Sequence, residues 1–184
     1  MNVIRTEIPE VLILEPKLFG DERGFLFEFF QAERYAQHGI SGPFVQDNVS
    51  RSSYGVVRGL HLQYPKSQGK LVGVLHGRVR DVAVDVRRGS PTFGRHVAVE
   101  LSEQNRRQLW VPRGFAHGFA VLSETADFYY KCDEFYSPSD EIAVRWNDPA
   151  IGIAWGLDSP VLSARDQEAP LLAEIGTLPD FEQT

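Results

Sequence analysis

Val82-Ala83-Val84-Asp85-Val86-Arg87-Arg88-Gly89-Ser90-Pro91, taken up again at Val97-Ala98-Val99-Glu100-Leu101, sets the fold class. Apolar residues recur at spacing two on both sides of the Gly-Ser-Pro turn, which is the period of a strand and not of a helix. Each half therefore reads as a half-buried strand. Similar turn signals at Pro65-Lys66-Ser67-Gln68-Gly69 and Ser137-Pro138-Ser139 separate short strands at fairly regular intervals, predicting an all-β sandwich or small barrel. Helices are expected to be short and peripheral, one over Ala32 to Gln37 closed by Gly39, another near Gln167 to Glu174.

The 184 residues, 42% of them hydrophobic, fit one domain over 1–184 with chain enough to bury a core, and residues 176–184 read as a loosely ordered tail. Nineteen Lys and Arg against 25 Asp and Glu leave a net charge of -6, which argues against nucleic acid or an anionic membrane surface as partner. Any phosphate must then be gripped locally. The single cysteine, Cys132, leaves no partner for an internal disulfide, and no stretch approaches the roughly 20 apolar residues of a membrane span, so a cytoplasmic location is expected.

Three segments carry candidate chemistry. Val57-Arg58-Gly59-Leu60-His61-Leu62-Gln63 places an imidazole within a strand of apolar or small residues, where a lone histidine is ordinarily a core residue bonded to a carbonyl. Phe44-Val45-Gln46-Asp47-Asn48-Val49-Ser50 puts Gln46, Asn48 and Ser50 on one strand face, which is either solvent-exposed or the wall of a pocket that reads hydroxyls and carbonyls. Phe128-Tyr129-Tyr130-Lys131-Cys132 puts Phe128, Tyr130 and Cys132 on a shared face, where most tyrosines serve packing.

Pro112-Arg113-Gly114-Phe115-Ala116-His117 has the spacing P-x-G-x-x-H and resembles the second motif of cupin barrels. Metal-binding cupins supply a His-x-His pair from the first motif, because a catalytic metal needs about three protein ligands. Here that position reads His61-Leu62-Gln63, and the nearest other histidine, His76, lies 15 residues on beside a turn. The site is expected to hold no metal and no cofactor, leaving His117 to bond substrate or to position its neighbours.

Read together, Gly20-Asp21-Glu22-Arg23-Gly24-Phe25, Phe44 to Asn48, Arg58 to His61, Gln68-Gly69-Lys70, Arg88 to Gly94, Pro112 to Phe119 and Ser163-Ala164-Arg165-Asp166 resemble the dTDP-4-dehydrorhamnose 3,5-epimerase family over nearly the whole chain. The resemblance implies a cupin-type jelly roll and an isomerase acting on a dTDP-linked 4-keto-6-deoxyhexose in dTDP-L-rhamnose biosynthesis. It implies His61 as base, Asp166 as its partner, Tyr130 as acid and Lys70 beside the enolate oxygen. For substrate binding it implies Arg23, Phe25, Glu28, Gln46, Asp47, Asn48, Arg58, His117, Glu141 and Arg165, with Tyr136 stacking on the thymine. Arg165 stands where the family carries lysine, which keeps the charge and changes the donor geometry. A homodimer is implied as well, its N-terminal segment crossing so that Arg23 and Phe25 complete the partner's pocket.

Strict alternation sets Arg58 and His61 on opposite strand faces, so their joint use calls for a distortion: a bulge that Gly59 permits, or Arg58 reaching around an edge. Rival readings are a relative that epimerises only carbon 3 or only carbon 5, a metal-dependent cupin, and a non-catalytic sugar-nucleotide-binding cupin.

Overall fold

The computed structural model describes residues 1–181. In chain order its strands are β1 (Asn2–Arg5), β2 (Leu12–Glu15), β3 (Leu18–Asp21), β4 (Gly24–Phe27), β5 (Gln46–Ser53), β6 (Val57–Gln63), β7 (Lys70–His76), β8 (Arg78–Asp85), β9 (His96–Ser102), β10 (Gln108–Val111), β11 (Phe115–Val121), β12 (Thr125–Cys132) and β13 (Glu141–Ala143). Two short helices, α1 (Ala32–Ala36) and α2 (Ala164–Glu168), accompany them. Six strands form one antiparallel sheet in the order β1-β2-β10-β7-β12-β5, and five form a second in the order β13-β6-β11-β8-β9. From β5 onward the chain passes back and forth between the sheets, broken only by the β8–β9 hairpin. This is the expected cupin-type jelly roll.

Between the sheets, Val72, Val74, Leu109 and Phe128 of the first pack against Val79, Ala83, Val97, Leu101, Phe115 and Phe119 of the second. The opening alternation is real, but on β8 it selects the outer face. Val82, Val84 and Val86 lie in a different cluster with Val144, Trp155, Leu172 and Leu178, beneath the C-terminal segment. β8 is thus buried on both faces instead of one, and its inward positions carry Asp81, Ala83 and Asp85, all 0% exposed. Asp85 accepts hydrogen bonds from Arg87 Nε at 2.9 Å and from the hydroxyls of Ser90 and Thr92. Those contacts give the Arg88–Gly94 turn its structural reason, since a buried carboxylate persists only when fully bonded.

The helix expected at Gln167–Glu174 is instead α2 followed by a 3-10 turn at Leu172–Glu174. Pro170 forces the break: the residue before a proline avoids the helical region, and Ala169 is extended at φ -57, ψ 142. The expected loose tail is docked as far as it is described. Leu178 is buried, Arg88 N–H donates to Pro179 O at 2.8 Å, and Phe181 N–H donates to Arg88 O at 2.9 Å. Residues 182–184 of that tail lie outside the described residues.

Candidate active site

β6 and β11 pair with a shifted register. His61 stands opposite His117, yet Arg58 stands opposite Phe119, so three steps on β6 match two on β11. The extra residue is the bulge named above, and Gly59 supplies it at φ +107, a region L side chains rarely adopt. A Cβ at Gly59 would sit 2.6 Å from the His117 carbonyl oxygen, so glycine is needed for close approach as well. Arg58 and His61 therefore line one cleft. Arg58 Nε donates to Ser52 Oγ at 2.9 Å, which aims the guanidinium.

Each of the two histidines has its Nε2 committed to a carboxylate. His61 Nε2 lies 2.7 Å from Asp166 Oδ1, and His117 Nε2 lies 3.0 Å from both oxygens of the fully buried Asp81. With Nε2–H donating, Nδ1 of His61 is the nitrogen left to accept a proton. Glu141 Oε1 stands 3.8 Å from that atom. Taken alone, Asp166 reads as a helix cap, but Ser163 does that work, its Oγ accepting from Asp166 N–H at 3.1 Å. The Asp166 side chain is left for His61. Burial acts to raise the pKa of Asp166, and the His61 hydrogen bond and charge, helped by Ser163 and the Gly59 N–H, outweigh it and hold the group below the usual carboxylate range.

Lys70 and Tyr130 come from the opposite sheet. Lys70 begins β7 opposite Cys132, and Tyr130 is two residues before Cys132 on the same inward face. One cleft of about 540 Å³ is lined by Arg58, His117, Ser163 and Asp166 among others, and a second of about 370 Å³ by Gln46, Asn48, Gln63, Tyr136 and Glu141. The residues common to both are His61, Lys70 and Tyr130, so the two spaces meet at the reactive groups. Burial lowers the pKa of Lys70, partly offset by Cys132, Glu141 and Asp81, and burial raises that of Tyr130. At the outer end of the second cleft Tyr136 donates to Glu141 Oε2 at 2.8 Å, and Arg165 Nη1 reaches the same oxygen at 2.5 Å.

A family model described as dTDP-4-dehydrorhamnose 3,5-epimerase matches residues 5–174. The chain belongs to that family. A Salmonella typhimurium dTDP-4-dehydrorhamnose 3,5-epimerase is 57% identical over 175 residues, covering 94% of this chain and 96% of the relative. The crystal structure of a dTDP-6-deoxy-D-glucose-3,5-epimerase from Legionella pneumophila, in complex with dTDP-4-keto-L-rhamnose, superposes with a TM-score of 0.97 at 54% identity and covers 99% of both chains. A 3'-monoepimerase from Streptomyces bikiniensis in complex with dTDP-quinovose superposes at 0.90 with 37% identity, covering 96% of this chain and 92% of that one. As a member of this epimerase family, the chain is an isomerase.

Within the epimerase, eleven of the residues expected from the sequence gather at the two clefts: His61, Lys70, Tyr130, Asp166, Arg58, His117, Gln46, Asn48, Tyr136, Glu141 and Arg165. Four do not. Asp47 faces away on β5, accepting from Tyr129 Oη at 3.0 Å and Lys131 Nζ at 2.7 Å, because strand alternation separates it from Gln46 and Asn48. Glu28 pairs with Arg34. Arg23 and Phe25 stand on the β3–β4 hairpin, which among the described residues pairs only with itself; the Arg23 side chain is 89% exposed. Asp81 and Ser52, the partners of His117 and Arg58, escaped the sequence reading. The available signal for Asp81 was a carboxylate in step with Ala83 on an apolar strand. Among the described residues, no group of three or more His, Cys, Asp or Glu is arranged to hold a metal ion.

Proposed function

We propose that the chain converts dTDP-4-dehydro-6-deoxy-D-glucose to dTDP-4-dehydro-L-rhamnose by moving the protons at carbons 3 and 5. The observation that carries this reading is His61 on one sheet, paired with Asp166 of α2, facing Lys70 and Tyr130 on the other sheet, at the junction of two clefts. Carbons 3 and 5 both flank the carbon 4 ketone. His61 Nδ1 removes a proton from one of them, the C–H electron pair moves into the ring, and the carbonyl oxygen becomes an enolate oxygen. Asp166 stabilises the imidazolium that forms. The Lys70 ammonium, desolvated at the junction, stabilises the enolate. Tyr130 then returns a proton to carbon from the opposite side, inverting the centre. His61 then gives its proton to water and Tyr130 regains one from water, and a second round at the other carbon completes the reaction.

No metal or cofactor is required in this scheme, and both histidine Nε2 atoms are already taken by carboxylates. Arg58 and Arg165, which both line the first cleft, hold phosphate oxygens, since guanidinium makes paired hydrogen bonds to them. Tyr136 stacks on the thymine. The enzyme works in the cytoplasm, where a free thiol such as Cys132 stays reduced. NMR of the product tests the assignment. Inversion at both carbons is expected, and inversion at one carbon would move the chain to the single-epimerase branch.

The perturbed groups fix the alkaline side of the pH profile. Lys70 must be charged and its pKa is lowered, so it loses its proton below the ordinary value of about 10.4. Tyr130 must be protonated and its pKa is raised above the ordinary value of about 10. With Lys70 moved down and Tyr130 moved up, the alkaline fall in kcat is assigned to Lys70. Lys70→Arg moves that limb upward in pH, whereas Tyr130→Phe lowers kcat and leaves the limb in place.

The enzyme acts as a homodimer in which the β3–β4 hairpin delivers Arg23 and Phe25 to the partner's pocket. The support is a hairpin whose strands, among the described residues, pair only with each other, with Phe19, Phe25 and Leu26 each more than half exposed. Co-expressed His61→Ala and Arg23→Ala chains then regain activity through one intact pocket per mixed dimer. Mixed dimers no more active than the parent variants would rule out the exchange.

A further inference from the structure

Tyr136 is held by a glutamine clamp. Four consecutive residues, 134 to 137, each have a backbone group bonded to a glutamine side chain. Gln68 Nε2 donates to Glu134 O at 2.9 Å, and Gln63 Nε2 donates to Phe135 O at 3.2 Å. Gln46 Oε1 accepts from Tyr136 N–H at 3.0 Å, and Gln63 Oε1 accepts from Ser137 N–H at 2.9 Å. Gln63 is only 4% exposed and holds two of the four groups, with a further bond from Nε2 to Lys66 O at 2.9 Å.

Gln63 is two residues beyond His61 on β6, so both side chains share a face, and it fills the slot of the second histidine in a His-x-His motif. A metal-ligand position here carries an amide whose donor and acceptor are spent on the loop that bears Tyr136. Buried amides satisfied at both ends rigidify what they hold. A stacking ring held in place before the ligand arrives does not lose ordering entropy on binding.

We propose that Gln63 is a positioning residue for nucleotide binding: by tying Phe135 O and Ser137 N–H to the base-bearing strand, it fixes Tyr136 as a preformed stacking surface. The inference rests on the role proposed above for Tyr136. Its action goes through Tyr136 alone, while His61, Lys70 and Tyr130 perform the chemistry.

Calorimetric titration with dTDP, together with steady-state kinetics on Gln63→Met, Tyr136→Ala and the double variant, tests it. Tyr136→Ala raises the Kd for dTDP roughly tenfold, the scale of one base–aromatic stack. Gln63→Met, which keeps the side-chain volume, raises Kd about fivefold and leaves kcat within about twofold. The double variant binds no more weakly than Tyr136→Ala, because both changes act through one ring. Multiplying effects, or a loss of kcat at unchanged Kd, would overturn the proposal. If Tyr136→Ala leaves dTDP binding intact, the stacking role fails first and the clamp's function falls with it. Should Gln63→Met fold poorly, Gln68→Met frees Glu134 O of the same four-residue segment, and its weakening of dTDP binding must likewise vanish in the Tyr136→Ala background.

Discussion

Asp166→Asn lowers kcat by about 10³- to 10⁴-fold with little change in KM, the scale seen when a histidine base loses its orienting carboxylate. Asp166 Oδ1 lies 2.7 Å from His61 Nε2 and can only accept from the ring. If the NH₂ of the new amide turns to His61 Nε2, it stabilises the tautomer protonated on Nδ1, the nitrogen that must be empty. If the amide oxygen turns to His61 instead, the ring keeps its tautomer but the imidazolium lacks its counter-charge. Binding groups elsewhere are untouched, which is why the loss falls on kcat. The lowered pKa of Asp166 also ties it to stability. Its contribution is present above the unfolded carboxylate value of about 3.9 and is lost as pH falls through the lower folded value, so the variant's deficit in stability shrinks below about pH 4.

Gly59→Ala destabilises the fold by about 3 kcal/mol, a drop of roughly 6–12 °C in Tm, and removes most activity even in the folded fraction. Two physical reasons act at this position. The φ of +107 is strained for any L side chain, and the new Cβ would lie 2.6 Å from His117 O and 2.8 Å from Gly118 Cα. Both obstacles are backbone, so relief means moving β11 or flattening the bulge. Flattening restores strict alternation and turns Arg58 or His61 out of the cleft. Gly176→Ala is the control, with no atom of the described residues within 4 Å of its Cβ, and should change Tm little. Thermal melts with activity normalised to folded protein check both variants. A Gly59→Ala chain with native Tm and activity would show that the bulge is dispensable.

Local period was enough to read the strands, since spacing two survives whichever face is buried. Which face β8 buries was not readable, because Val82, Val84 and Val86 are covered by residues far along the chain, such as Val144, Trp155 and Leu172. The β6 bulge was readable from the sequence, as two needed side chains fell out of phase across a glycine. The glutamine clamp was not, because the Gln63 partners Phe135 O and Ser137 N–H are backbone groups on a turn 72 and 74 residues away. Asp81 was hidden for a related reason: a single carboxylate on an apolar strand gives no hint of the neighbouring histidine until β8 and β11 are paired. Helix positions failed at Pro170, where local stereochemistry overrode a plausible helical stretch.

Base and acid on facing sheets is the central claim, and hydrogen exchange at the substrate tests it most directly. In deuterated water, the wild-type enzyme should place deuterium at carbons 3 and 5 of dTDP-4-dehydro-6-deoxy-D-glucose with both centres inverted, as followed by NMR. His61→Ala should incorporate none above the uncatalysed background. Tyr130→Phe should still exchange protons through His61 but return them to the same side, uncoupling exchange from inversion. Exchange at the wild-type rate without His61, or full inversion without the Tyr130 hydroxyl, would contradict the assignment of base and acid to the two sheets.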